Sequence, residues 1–472
     1  MYKFTYPRAL WDETRLDKAI IRQLINKHRG IMGPKSTCYA YYMGHQAIEY
    51  RTRDDKDAPN NKVMSNHAKD ITDTATGYFM GNPISYTTTG DQNIEPLLKA
   101  FDSACIDDVD ADLAQDASIY GLSYEYVYAD KNGAPISKET SPANSFIVCD
   151  DTIAEEELFG VYYWMQKNSA TDEYAFVATV MTEHYIYNMV IEGQGLSGAE
   201  HEWSTEEPTP HYFGGIPLIE YLNNKEGIGD FEQQISLIDA YNTLMSDRVN
   251  DKEQFVDAVL ALYGALLGDD EQETKAALKK LKEEKLIELP LDAKAEYLTR
   301  QMDETGVETL RKALKEDIYT FSHVPNLTDE NFAGTASGVA LEYKLLGLEM
   351  LTKVKERNYR QGLRKRIELY CNFLGMKALS LEAGAIVPSF TRALPKNLQE
   401  LSLIVANLDG KVSQRTLLGL LPFVEDPDAE IDAVDEENAK KLEYQQAVFG
   451  IGANTPPEFE PEDEEPEDGE RR

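Results

Sequence analysis

Cysteine is scarce in this chain. Cys38, Cys105, Cys149 and Cys371 are its four thiols in 472 residues, far apart and never spaced as CxxC. That pattern excludes a disulfide framework and a thiolate metal site, and it predicts reduced, buried thiols of a cytosolic protein. Long apolar runs are missing as well: no 18 uninterrupted apolar residues occur, and the opening "MYKFTYPRALWDETRLDKAI" has no apolar core. Neither a membrane span nor a signal peptide is expected. The third shortage is positive charge, with 47 Lys and Arg against 83 Asp and Glu and a net charge of -36. A module that grips nucleic acid through phosphates needs the opposite surface, so simple DNA-binding domains are excluded.

Catalytic motifs are also absent. The seven histidines are scattered without HExxH or another metal spacing. His201 and His211 flank "EWSTEEPTP", which reads as a turn between strands. No GxxxxGK[ST], GxSxG or GxGxxG after a strand occurs. Acidic pairs such as Asp107-Asp108 and Asp150-Asp151 are what chance supplies among 83 acids. The expectation is a non-enzyme with no catalytic residue, no metal and no cofactor.

What is present is a long chain of ordinary apolar content, 42%, enough for two to four domains. Residues 12 to 28 carry Leu16, Ile20 and Leu24 at helical spacing, and 60 to 80 read as a second helix halted by "GNPISY". Further helical patterns cover 91 to 101 and 107 to 118. Strand texture follows in "LSYEYVYAD", "SFIVCD", "LFGVYYWMQ", "EYAFVATVMT" and "HYIYNMVIE", with Asn132-Gly133 as a turn. The first 220 residues therefore read as α+β, helices first and an antiparallel sheet after.

From Phe231 the chain turns helical, with an apolar stripe at 231, 235, 238, 241, 245 and 249. An insert follows: an apolar run from Val256 to Leu267, the charged helix "EQETKAALKKLKEEK", and the short strands "LIELP" and "AEYLTR". A helix over 305 to 322 leads into "NFAGTASGVALEYKLLGLEM", a small-residue hinge that opens a leucine-striped helix running to about 380. Forty-odd helical residues span roughly 60 Å at ~1.5 Å per residue. That length predicts an elongated subunit whose spine is buried by neighbouring copies. Within it, "KVKERNYRQGLRKR" (353 to 366) holds seven cations and one acid. Lys353, Arg357, Arg360 and Arg364 share one face, read as a solvated face, as pairing with acids of a neighbouring subunit, or as meeting DNA or another polyanion. The last fifteen residues, "EFEPEDEEPEDGERR", carry nine acids and two arginines and are expected to be disordered.

These pieces, in this order, resemble the portal proteins of tailed bacteriophages, the siphophage type. The likeness rests on "NNKVMSNHAKDITDTATGYFMGNPISY" (60 to 86), "HYFGGIPLIEYLNNKEGIGDFEQQISLIDAYNTLMSDRVND" (211 to 251), "ASGVALEYKLLGLE" (336 to 349) and "LDGKVSQRTLLGLLPFVEDPDAEI" (408 to 431). It runs from about residue 15 to 445. The resemblance implies a mixed α+β, predominantly helical subunit of a ring with a central channel. Its parts would be an α+β wing (1–230), a stem helix (231–254), a clip (255–302), a second stem helix (303–322) and a tunnel loop (323–338). A long wing or spine helix (339–380), a return to the wing (381–412), a helical crown (413–454) and the acidic tail (455–472) would complete it. Another ring-forming head-tail connector is the alternative, although such proteins are usually smaller and lack the clip.

The resemblance also implies partners and sites. Such proteins form a dodecamer at one capsid vertex, with other ring sizes possible for isolated protein. Double-stranded DNA passes through without sequence preference. Large terminase, head-completion or adaptor proteins, scaffold and major capsid protein would dock, with no membrane involved. The product would be a virion component assembled in the bacterial host cytoplasm. Asn326, Thr328, Asp329, Glu330, Asn331, Gly334, Thr335, Ser337 and Gly338 would form the DNA-facing tunnel loop. Lys275, Lys279, Lys280, Lys282 and Lys285 would form the clip's docking surface.

Overall fold

The structure, a computed structural model, describes residues 3–56, 58–167, 174–192, 203–205, 207–254, 259–263, 270–284, 293–298, 304–326, 338–392, 398–421, 424 and 427–449. The chain divides into two compact units, Met1–Ala393 and Leu394–Arg472.

The first unit opens with β1 (Phe4–Tyr6) and α1 (Lys18–Tyr42). Asp17 caps α1, its carboxylate accepting from the N–H groups of Ala19 and Ile20, the role expected of Asp at a helix start. The sequence predicts an end near 28, yet the helix continues through Gly30, Gly33 and Pro34. Proline inside a helix costs a hydrogen bond; burial of Met32, Cys38, Tyr41 and Tyr42 around it supplies the offsetting packing. Next come α2 (His67–Met80), β2 (Ser85–Thr88), α3 (Glu95–Ser103) and α4 (Ile106–Tyr120). Here one expectation fails: residues 60 to 66 are extended, and α2 starts only after Asn66, which caps it.

The strands β3 (Leu122–Ala129) and β4 (Pro135–Thr140) form a hairpin across Asn132-Gly133, with Gly133 at φ 72°. Then follow β5 (Ser145–Asp150), β6 (Glu157–Lys167), β7 (Tyr174–Met181), β8 (Tyr185–Glu192), β9 (Trp203–Thr205), β10 (Thr209–Pro210) and β11 (Leu218–Leu222). They make two sheets where one was expected. The larger is ordered β1-β5-β6-β7-β8-β10 with β9 also on β8; the smaller is β11-β3-β4. The β1–β5 pairing is parallel, which amends the all-antiparallel expectation. The sheets stack in layers. Phe146, Val148, Phe159 and Val161 of the large sheet meet Ile21, Leu24 and Ile25 of α1. From its other face Ile147 and Met181 meet Leu122, Tyr124 and Leu218 of the small sheet. The sheets approach so closely at Gly160 that an added β-carbon would lie 2.7 Å from Leu218 Cβ.

Helix α5 (Ile235–Gln254) leads to β12 (Val259–Tyr263), α6 (Glu271–Glu284), β13 (Lys294–Leu298) and α7 (Glu304–Ser322). The apolar run from Val256 thus yields β12, which pairs antiparallel with β13; the expected strand "LIELP" lies outside the described residues. Then comes α8 (Gly338–Met376), 39 residues long, and β14 (Ile386–Ser389), antiparallel to β2. Leu345, Leu348, Tyr359, Leu363, Ile367, Tyr370 and Leu374 of α8 are all buried, on the face that the spacing predicts. They are buried by their own chain: from Tyr359 onward they share a core with α2, α3, α4, β11 and β14. This corrects the expectation that neighbouring copies are needed to cover that apolar row; Tyr343, Leu346, Met350 and Val354 on the other side of the helix are exposed. Each such side chain contributes roughly 1.5–3 kcal/mol of burial.

The second unit holds α9 (Leu398–Leu408), α10 (Gln414–Leu418), capped by Ser413, and α11 (Pro427–Phe449). No helix among the described residues is long and apolar enough to cross a membrane.

Candidate functional site

The region of interest is the α5–α7–α8 junction, where the chain leaves α7, passes 327–337 and re-enters as α8. Three devices fix α5 and α7 to the body. The first is a polar ladder. Asn242, Ser246 and Asn250 of α5, all at most 1% exposed, lie four residues apart and so share one face. They accept hydrogen bonds from the backbone N–H groups of Ser65 (2.8 Å), Val63 (2.9 Å) and Asn61 (2.6 Å). Side chains thus serve as the sheet partner of an extended segment, which is why 60 to 66 is not helical. Arg51 and Arg53 both reach Asp247 beside it.

The second device joins α5 to α7. Arg248 bridges Glu308 (2.9 Å) and Glu304 (3.0 Å). Arg311 bonds Glu308 with two nitrogens and reaches Tyr241 Oη at 3.3 Å. Hydrogen bonds from Arg311, then Arg248, hold the Glu308 carboxyl down at about 2. The third joins α7 to α2. Tyr319 Oη donates to Asp70 Oδ2 at 2.6 Å and lies 3.2 Å from His67 Nδ1. Since the phenol's single proton goes to Asp70, the imidazole must be the donor in the second bond. Burial, then Lys315, lowers the His67 imidazole below its ordinary value and keeps it neutral.

Beyond Tyr319 the helix ends with His323 in the left-handed region, φ 58°, and its carbonyl oxygen lies 3.6 Å from where a β-carbon on Gly347 of α8 would stand. Arg311, Lys312, Lys315, His323, Asn326 and Lys344 line an open cleft of about 710 Å³ between α7 and α8. This cationic cleft was not foreseen, since its residues come from two helices separated by the loop.

Under α8 lie two buried cations, also unforeseen. Arg366 is fully buried; its Nη1 bonds Asp110 Oδ1 at 2.7 Å and its Nε bonds Glu125 at 2.9 Å. Lys355 bonds Asp230, which also accepts from Ser118 Oγ (2.5 Å) and Asn223 Nδ2 (2.9 Å). Around that pair the segment 223–230, "NNKEGIGD", presses on the end of α4: a β-carbon on Gly121 would fall 2.2 Å from Gly227 O, and one on Gly229 would fall 2.4 Å from Ile119 O. These are structural roles, required because a buried charge must be paired.

The expected site residues distribute as follows. Asn326 is the last described residue before the loop and Gly338 the first residue of α8. Thr328, Asp329, Glu330, Asn331, Gly334, Thr335 and Ser337 lie outside the described residues. Lys275 and Lys279 are exposed on α6, and Lys275 pairs with Glu271 at 2.7 Å. Lys280 and Lys282 are on the same helix, their side chains outside the described set, as is Lys285 altogether. In the stripe, Lys353 lies 3.6 Å from Glu349 and Arg360 2.6 Å from Glu356. Both acids belong to the same helix and also hold Arg392. Arg357 and Arg364 are exposed.

Known proteins resemble this chain, one of them over most of its length. The portal protein of Bacillus phage SPP1 is 24% identical over 452 residues, 91% of this chain and 88% of the relative. The portal protein of Clostridium phage phiCD119 is 28% identical over 221 residues, 46% of this chain and 47% of the relative. A chain in the neck of a native GTA particle superposes with a TM-score of 0.46 at 10% identity, over 75% of this chain and 89% of that one. The family model for phage portal protein, SPP1 Gp6-like, matches residues 24–444. The chain belongs to that family of phage portal proteins.

Proposed function

We propose that this chain assembles into the ring at the unique capsid vertex of a tailed phage, twelve copies in the virion, through which double-stranded DNA is packaged and ejected. The observation that carries the reading is the family match over 24–444. The element order supports it: α5 and α7 flank the β12–α6–β13 insert as stem helices flank a clip, and the segment 327–337 separates α7 from α8 as a tunnel loop would. On this reading the described body, 3 to 254 together with α8, is the wing and stem, and α10 and α11 belong to the crown. Large terminase and then head-completion proteins dock on the clip, with Lys275, Lys279, Lys280, Lys282 and Lys285 as their contact surface. Scaffold and major capsid protein meet the ring's outer side.

The charge suits a conduit. Each phosphate that pairs with a cation adds affinity, whereas an acidic chain of net charge -36 lets DNA of any sequence slide. The loop supplies Asn326, Thr328 and Asn331 as neutral polar contacts, Asp329 and Glu330 as repulsive ones, and Gly334, Thr335, Ser337 and Gly338 as the hinge. Electron microscopy of purified particles tests the assembly: radially symmetric rings with an axial hole are expected, and a monomer at all concentrations overturns it. For the loop, Gly334→Pro with Gly338→Pro is expected to leave rings intact while impairing DNA passage. Proline at the first turn of α8 is sterically acceptable there.

A further inference from the structure

The exposed side of α8 changes character along its length. Tyr343 (74% exposed), Leu346, Met350 (63%) and Val354 form an outward apolar stripe, and Arg357 and Arg364 continue it with positive charge. The spacing 3-4-4-3-7 keeps all six on one helix face over about 30 Å, at ~1.5 Å per residue. No described residue of the chain pairs with Arg357 or Arg364. A second outward face lies on α7, where Leu310 (51% exposed) and Phe321 (60%) flank the exposed Asp317. The opposite side of α7 is already engaged, Arg311 with α5 and Tyr319 with α2. Large apolar side chains in such rows mark a contact surface.

We infer that the stripe Tyr343–Leu346–Met350–Val354–Arg357–Arg364 of one copy docks on the Leu310–Asp317–Phe321 face of the next. This rests on the ring reading and adds the surfaces that would build it. Three arguments select a second copy, joined head to tail. The faces are complementary in kind, apolar with positive charge against apolar with negative charge. A two-fold contact of the α8 face with itself would set Arg357 and Arg364 against like charges if the helices ran parallel and against apolar side chains if they ran antiparallel, and would give them an acid in neither case, so the isologous arrangement is disfavoured. And the faces are separate, because α7 turns its Leu310–Phe321 side away from α8; both can be occupied at once, which a closed heterologous ring requires.

Two single variants and their mixture test it, with mass photometry reading assembly and circular-dichroism melts confirming that each folds. Met350→Asp spoils the α8 face; Phe321→Asp spoils the α7 face. Each alone is expected to stay monomeric at concentrations at least tenfold above those at which the natural chain forms rings. Mixed one to one, they retain one intact face each and are expected to give heterodimers that cannot close. If either variant alone forms rings as readily as the natural chain, or if the mixture yields no heterodimer, the inference is overturned while the ring reading stands. A natural chain that is monomeric at every concentration overturns both.

Discussion

Gly362 of α8 lies against the ring of Tyr221, so close that a β-carbon built on it would fall 2.4 Å from Tyr221 Cε1. Tyr221 is itself pinned, its hydroxyl donating to Glu125 at 2.5 Å while Arg366 stands over its ring at 5.6 Å. The ring therefore cannot move aside. Alanine at a helical glycine ordinarily stabilises by about 1 kcal/mol. Here overpacking wins: Gly362→Ala is expected to destabilise by roughly 2 kcal/mol. Gly375, with nothing within 4 Å of its β-carbon position, is the internal control. Gly375→Ala is expected to raise the denaturation midpoint where Gly362→Ala lowers it, both read by urea unfolding.

Removing one partner of a buried ion pair strands the other. Lys355→Met leaves the Asp230 carboxylate with Ser118 and Asn223 but no counter-charge. A loss of about 3–5 kcal/mol is expected. Lys355→Met combined with Asp230→Asn should recover part of it, because no uncompensated charge then remains. A double variant as unstable as the sum of the singles would contradict this coupling.

Apolar rhythm made much of this legible: the Asn132-Gly133 hairpin, the stripes of α5 and α8, and the buried row from Leu345 to Leu374. Polar residues defeated the reading wherever they work inside. Lys355 and Arg366 lay in the basic run 353 to 366 and looked like part of a solvated face, because their partners Asp230, Asp110 and Glu125 are more than a hundred residues away. Asn242, Ser246 and Asn250 had helical spacing, but nothing local marks them as acceptors for an extended segment. The split into two sheets was hidden for a related reason. A strand such as β3, buried for its first four residues, has lost the alternation that betrays which face is which. Of the segment between α7 and α8, the residues on either side that the structure describes are Asn326 and Gly338.

Acid should weaken the α1–sheet layer. His28 is buried, stacked on Phe146 and 2.8 Å from Tyr163 Oη, and burial lowers its imidazole to about 4. The unfolded chain, with an ordinary value near 6.5, takes up the proton first. Its stabilising contribution is therefore complete above about pH 6.5 and lost as pH falls towards 4. Between pH 7.5 and 5.5 the loss is roughly 1 kcal/mol by linkage, in a range still above the isoelectric point of about 4.6. His67 and His211, both lowered chiefly by burial, act in the same direction, so the comparison is with His28→Phe. That variant is expected to show a shallower decline of urea midpoint with pH. An identical decline would place the acid sensitivity elsewhere.

The link from α7 to α2 runs through one phenol. Tyr319→Phe removes the donor to Asp70 and the acceptor for His67 together, with no change in ring packing against His67 at 5.7 Å. Asp70 is exposed and regains water. His67 is buried, and its Nε2 already has no partner among the described residues, so its Nδ1–H would be stranded. That costs roughly 1–3 kcal/mol, and the cost falls on the end of α7 that leads into 327–337. Native-state hydrogen exchange separates a local from a global effect. Amides from Lys315 to Ser322 are expected to exchange about ten-fold faster or more in Tyr319→Phe, while those of β6 and β7 change little. If both regions accelerate equally, the phenol stabilises the whole unit and does not specifically hold the junction.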